Sequence, residues 1–139
     1  MIQILPQTLN TIILAHYPHL EAIYLFGSYA QAQNTDHSDI DIALLFPAPN
    51  SKLIGSLVLS ELRFELEDKL KIPVDLINLR QVSTVFQKEI ITTGQRIVTK
   101  ATYQAEEFEM LVYSFYQKLN QERAGILQAF QQSGRAYQL

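Results

Sequence analysis

The chain has no cysteine among its 139 residues, and no Lys or Arg occurs before Lys52. Without cysteine it has no disulfides, no thiolate metal ligands and no cysteine nucleophile, which is compatible with a reducing compartment. No apolar run approaches the roughly 18–20 residues of a membrane-spanning helix, and the N-terminus lacks the basic segment of a secretory signal. We therefore expect a cytoplasmic protein that does not contact a membrane.

The charge distribution argues against a nucleic-acid-binding protein. The net charge is −3, and the first 51 residues hold four carboxylates and no Lys or Arg. Non-specific binding to a duplex needs clustered Lys and Arg that neutralise phosphates. No direct nucleic-acid binding is expected, although a single nucleotide can bind where a metal ion mediates.

Length and composition predict one folded domain over 1–139. The chain is 47% hydrophobic and 18% charged, which is too apolar for a disordered protein and ordinary for a globular one. A chain of this length fits a single domain. It is expected to bury a substantial core.

The order of predicted elements indicates a small mixed sheet flanked by helices, an α/β (α+β) fold. Periodicity and breaker residues predict a helix over 5–17, strands over 21–26 and 39–46, a helix over 52–71, a strand over 72–78, a helix over 82–93, a short strand over 96–99 and an amphipathic helix over about 102–132. Gly94 is predicted to end the helix before it. The strand over 39–46 is apolar on both faces beyond its first residues, which is typical of a central strand.

The most informative motif is Gly27-Ser28 followed, after ten intervening residues, by Asp39-x-Asp41. Side chains alternate along a strand, so the two aspartates point the same way, about 6.6 Å apart. Like charges so close together on a half-buried face repel each other and resist desolvation. Mg²⁺ removes both penalties because it prefers oxygen ligands, and two such ions would clamp an in-line phosphoryl displacement.

Gly27 and Ser28 stand where the first predicted strand ends. Glycine lets the backbone approach a phosphate without an intervening Cβ, and serine adds a hydroxyl group. Backbone N–H groups of the following turn can bind an anion. The pair is therefore a candidate seat for nucleotide phosphates.

A third carboxylate, Asp75, lies inside an otherwise apolar predicted strand. If that strand neighbours the one carrying Asp39 and Asp41, the three carboxylates form a triad. Asp75 would then act as general base or as a further metal ligand. The alternative is a solvent-facing residue of an edge strand, which Pro73 permits.

The motif resembles the nucleotidyltransferase superfamily that includes polymerase beta. The Ser-Asp-Ile-Asp sequence at 38–41, the helix end at 89–94 and the C-terminal helix are most similar to the minimal nucleotidyltransferase (MNT) antitoxins, which pair with HEPN-domain toxins. The resemblance implies a polymerase-beta-like fold with Mg²⁺ held by Asp39, Asp41 and Asp75. It further implies transfer of AMP from ATP to a tyrosine of a cognate HEPN toxin, an RNase that is thereby silenced.

One departure from the family pattern keeps other functions open. Gln31-Ala32 stands where related sequences commonly carry Arg-Gly, which removes a triphosphate contact. This favours, as an alternative, a catalytically weak binding module that neutralises the toxin by occlusion. A nucleotidyltransferase acting on a small molecule is a further alternative, although the chain leaves little room for a second, acceptor-binding domain.

Overall fold

The computed structural model describes residues 6–30 and 39–133. The helices and strands, in chain order, are α1 (Pro6–His16), β1 (Ala22–Phe26), α2 (Gly27–Ala30), β2 (Ile40–Leu45), α3 (Ala48–Ile54), α4 (Glu61–Leu70), β3 (Val74–Asn78), α5 (Thr84–Thr93), β4 (Gln95–Thr99) and α6 (Thr102–Ser133), with a 3₁₀ turn at Leu79–Gln81.

The four strands form one mixed sheet in the order β3-β2-β1-β4. Strand β1 runs antiparallel to both of its neighbours, whereas β2 and β3 are parallel. The sheet with its helices confirms the predicted mixed α/β (α+β) fold. It also places β2 inside the sheet, as its apolar sequence predicts.

Helices cover both faces of the sheet. Ile40, Ile42 and Leu44 of β2 are buried against α1 and α4. Ala43 and Leu45 point to the other face and are buried against α5 and α6. Because both faces are covered, any charged side chain at the start of β2 lies at the edge of two apolar layers.

The predicted single helix over 52–71 is wrong, because the structure divides this stretch into α3 and α4. Gly55 ends α3 with φ 63° and ψ −142°, a left-handed conformation that glycine adopts without strain. Ser60 then begins α4 by accepting a hydrogen bond from the backbone N–H of Arg63 at 3.2 Å. The loop between the two helices carries Val58, which lines a cavity together with Asp75 of β3.

Gly94 follows the last residue of α5, as predicted, and it does not adopt the left-handed conformation common at helix ends. Its φ is −87°. A Cβ built on Gly94 would lie 2.5 Å from the carbonyl oxygen of Ile90 and 2.9 Å from that of Leu25. Glycine is needed here because the helix end packs directly against the backbone of β1.

Helix α6 is held to the sheet near its N-terminus. The Tyr24 hydroxyl donates a hydrogen bond to the Glu109 carboxylate at 2.6 Å, and Arg96 pairs with the same oxygen at 2.9 Å. Further along, the apolar residues Phe115 and Ile126 are exposed. Although α6 has 32 residues, no helix within 6–30 and 39–133 is both long and apolar enough to span a bilayer.

Candidate active site

Three aspartates meet at one end of the sheet, where β1 ends and where β2 and β3 begin. Asp41 is paired in register with Asp75 on the parallel neighbour strand, and it lies opposite Phe26 on β1. Residues in register on adjacent strands present their side chains to the same face. Asp39 directly precedes β2, two residues from Asp41. The structure therefore brings together the three carboxylates that the sequence singled out.

The three carboxylates repel one another. Asp41 is half-buried, whereas Asp39 and Asp75 are exposed. Burial, then the charge of Asp75 and then that of Asp39 together raise the pKa of Asp41 to about 6. A cation at this end of the sheet would remove the repulsion.

Gly27 is shaped to make room for Asp41. Its φ is +72°, and a Cβ added there would collide with Oδ2 of Asp41 and stand 3.0 Å from its Cγ. Both the left-handed backbone and the contact with the carboxylate exclude any larger residue. The position of Asp41 therefore requires a glycine at residue 27, in addition to any contact that Gly27 makes with a phosphate.

Ser28 follows within the short helix α2 and is half-buried. The carbonyl of Ala30, at the end of α2, accepts a hydrogen bond of 2.7 Å from the Gln95 side chain, which ties α2 to β4. Residues Gln31, Ala32 and Ser38 lie outside the described residues. The seating of phosphates at Gly27 and Ser28 stays a prediction.

The residues present fit Mg²⁺ as a cation that arrives with a nucleotide. Within 6–30 and 39–133, no group of three or more His, Cys, Asp or Glu side chains is arranged to hold a metal ion by itself. Mg²⁺ is commonly bound by one or two carboxylates together with waters and substrate phosphates, so a complete protein cage is not required. A bound cation would be stabilised most beside Asp41, because the carboxylates there repel one another. Joint binding by Asp39, Asp41 and Asp75 stays a prediction.

Arg63 is a residue near the site that sequence reasoning missed. It lines a cavity of about 200 Å³ together with Asp39 and Asp75. Its only local signal is its place in the first turn of α4, after the cap at Ser60. Nothing in the sequence indicates that this turn reaches β3.

The raised pKa of Asp41 predicts that the stability of the folded protein depends on pH when divalent cations are removed. Its pKa rises from 3.8 to about 6 in the folded chain, so between these values the folded state binds more protons than the unfolded state. The stability contributed by protonated Asp41 is therefore lost as the pH rises through this window. We expect Asp41→Asn to raise the free energy of unfolding by about 1 kcal/mol near neutral pH, after discounting for solvent screening of a half-exposed group.

Urea unfolding in EDTA, at about pH 7.5 and about pH 4, measures this effect. The gain from Asp41→Asn should shrink at the lower pH, where the wild-type carboxyl is largely protonated. Asp68→Asn on α4 is the control, since Asp68 has 77% side-chain exposure. An equal gain at both pH values would contradict the prediction.

An Asp-x-Asp pair opening a strand, a Gly-Ser step beside it and a third Asp on the parallel neighbour form the arrangement expected of a nucleotidyltransferase. Comparison with known families agrees, because the family described as "Polymerase beta, Nucleotidyltransferase" matches residues 9–103. The match spans more than half of the chain. The chain belongs to the polymerase beta nucleotidyltransferase family.

One relative and two solved structures are similar to this chain over most of its length. The protein adenylyltransferase MntA of Shewanella oneidensis is 38% identical over 111 residues, which cover 79% of this chain and 76% of MntA. A chain in the crystal structure of a toxin–antitoxin with AMP-PNP has a TM-score of 0.77 at 31% identity, over 92% of this chain and 99% of that one. A chain in a structure of tri-AMPylated Shewanella oneidensis HEPN toxin in complex with MNT antitoxin has a TM-score of 0.61 at 30% identity, over 91% and 99%.

Proposed function

We propose that this chain is an antitoxin that transfers AMP from ATP to a tyrosine hydroxyl of a cognate HEPN-type toxin. The observation that carries the proposal is the in-register pair of Asp41 and Asp75 beside the backbone of Gly27. The relatives support the transfer of AMP to a protein. One relative is a protein adenylyltransferase, and one similar structure holds an AMPylated HEPN toxin.

In this function each site residue has a distinct task. Asp39 and Asp41 would hold two Mg²⁺ ions, whose positive charge would neutralise that of the phosphates. Gly27 and Ser28 would seat the β- and γ-phosphates. The tyrosine oxygen forms a bond to the α-phosphorus, the bond to pyrophosphate breaks, and Asp75 accepts the phenol proton. Most of the acceleration comes from positioning and charge stabilisation.

The proposal also covers the setting of the reaction. One domain over 1–139 would carry the whole activity, in the cytoplasm, where ATP is available. The partners are the toxin and ATP, without direct nucleic-acid binding and without a membrane. The absence of Lys and Arg before Lys52 supports the exclusion of nucleic acid.

Label transfer from ATP tests the function directly. The protein is incubated with α-³²P-labelled ATP, Mg²⁺ and the product of the adjacent reading frame, with EDTA as control. We expect label on tyrosine of that protein only when Mg²⁺ is present. Absence of label, under conditions where the two proteins bind each other, would sink the proposal.

Occlusion without chemistry is the second candidate function. It is favoured by Gln31 in place of the family's usual Arg and by the exposed apolar residues along α6, which suit a protein contact. Removing the carboxylates separates the two candidates, because occlusion needs only the contact surface. Full protection of cells by an Asp39→Ala, Asp41→Ala variant would establish occlusion as sufficient.

A further inference from the structure

The cavity beside the carboxylates lies at the start of β3, where α4 and the loop before it pack against that strand. Its volume is about 200 Å³, and its apolar walls come from Val58, Pro73 and Leu76. Asp39, Asp75 and Arg63 contribute the charged part of its lining. The cavity therefore joins an apolar space to the carboxylates of the candidate active site.

Arg63 holds the wall of this cavity in place. Its guanidinium donates hydrogen bonds to the carbonyl of Val58 at 2.6 Å and to that of Val74 at 3.1 Å. Glu67, one turn further along α4, accepts a hydrogen bond of 2.9 Å from the backbone N–H of Val74. These contacts tie the α3–α4 loop to the outer edge of β3. These hydrogen bonds therefore hold the shape of the cavity within the folded chain.

The order of the strands indicates which of the two reactants the cavity would bind. Gly27 and Ser28 follow β1, Asp41 stands on β2, and Asp75 stands on β3, next to the cavity. In an in-line displacement the attacking oxygen lies opposite the leaving group. With phosphates seated beside β1, the acceptor must approach from the β3 side.

The chemistry of the cavity suits a phenol. The guanidinium of Arg63 is already engaged by two backbone carbonyls and by Glu67, so it does not offer a free cation to a phosphate. The two carboxylates of the lining repel a phosphate, whereas the apolar walls favour a hydrophobic ring. The volume is below the roughly 300–1,000 Å³ of common small-molecule sites, which favours one side chain over a whole nucleotide. Leu59 and Phe64, next to this lining in sequence, are 80% and 52% exposed and offer an apolar surface for the surrounding segment.

We propose that this cavity receives the acceptor tyrosine of the substrate protein, with its ring against Val58 and Leu76 and its hydroxyl facing Asp75. The inference rests on the proposed AMP transfer and adds to it the place where the acceptor binds. Arg63 is a positioning residue that keeps the Val58 wall in place.

Filling the cavity tests the proposal. Val58→Trp should raise the KM for the acceptor protein about tenfold or more, while the dissociation constant of ATP with Mg²⁺ stays within about twofold of the wild-type value. Val58→Ala is a milder second variant, which should lower kcat/KM for the acceptor about fivefold by removing one apolar wall. Thermal unfolding of both variants, compared with the wild type, reports on the fold.

Leu53→Trp is the matched control. Leu53 is 89% exposed on α3, and the end of this helix is tied to Asn78 at the far end of β3. The control should transfer AMP at the wild-type rate.

Each outcome distinguishes the inference from the function beneath it. If the wild type labels its partner and folded Val58→Trp labels it with an unchanged KM, the acceptor site is refuted and AMP transfer stands. If Val58→Trp instead weakens ATP binding with the acceptor KM unchanged, the cavity holds the nucleoside and the inference is overturned. If the wild type transfers no label, the proposed function and the inference fail together.

Discussion

Replacing Asp39 and Asp41 together by Asn is expected to lower AMP transfer at least about a thousandfold. Both side chains keep their size, but the negative charge that would hold Mg²⁺ against the phosphates is lost. The fold should not suffer, because burial and the charges of Asp75 and Asp39 already raise the pKa of Asp41 and make its ionised form costly. Single-turnover transfer of labelled AMP to the partner measures the effect.

An exposed carboxylate elsewhere provides the control for this variant. Asp68→Asn on α4 removes one negative charge with 77% side-chain exposure and should leave transfer within about twofold. The prediction fails if the double variant keeps more than about a tenth of wild-type transfer. Equal binding of the partner by both proteins would show that the loss lies in chemistry.

Gly27→Ala is expected to damage the site and the fold at once. The left-handed backbone at φ +72° costs a non-glycine residue about 1–2 kcal/mol, and the new Cβ would collide with the Asp41 carboxylate. A displaced carboxylate loses alignment with the reacting atoms, and a shift of about 1 Å can cost about a hundredfold in rate. We therefore expect transfer to fall about a hundredfold or more, together with a lower midpoint of urea unfolding.

Gly125→Ala is the matched control because no atom lies within 4 Å of the Cβ that it would add. Gly125 is inside α6, where alanine is favoured over glycine by up to about 1 kcal/mol. This variant should keep full activity and be at least as stable as the wild type. Gly27→Ala with transfer within about twofold of wild type would show that Asp41 tolerates displacement, contrary to the prediction.

Local features of the site were predictable because they depend on neighbours in sequence. The alternation of side chains along a strand places Asp39 and Asp41 on one face wherever that strand lies. Gly27 and Ser28 at the end of β1 follow from the loss of apolar residues there. The same local rules predicted β2 as a central strand.

Local rules failed where the chain packs against distant segments. The close approach of Gly94 to β1 depends on contacts that the sequence pattern does not encode. The break between α3 and α4, in contrast, follows the local signals of Gly55 and Ser60, which the predicted single helix passed over. Periodicity also predicted α6 as amphipathic, but the structure leaves Phe115 and Ile126 uncovered by the rest of the described chain. A helical apolar stripe does not reveal whether the chain itself covers it.

By itself, the sequence determined the chemistry that the carboxylates can perform, since residue type and strand spacing set which oxygens point together. Only the tertiary structure decided that Asp75 joins them, because the register of two parallel strands depends on how the intervening helices pack. It also decided that Arg63 and Val58 frame a cavity beside Asp75. Such a cavity arises from segments that meet only when the sheet and α4 close on each other.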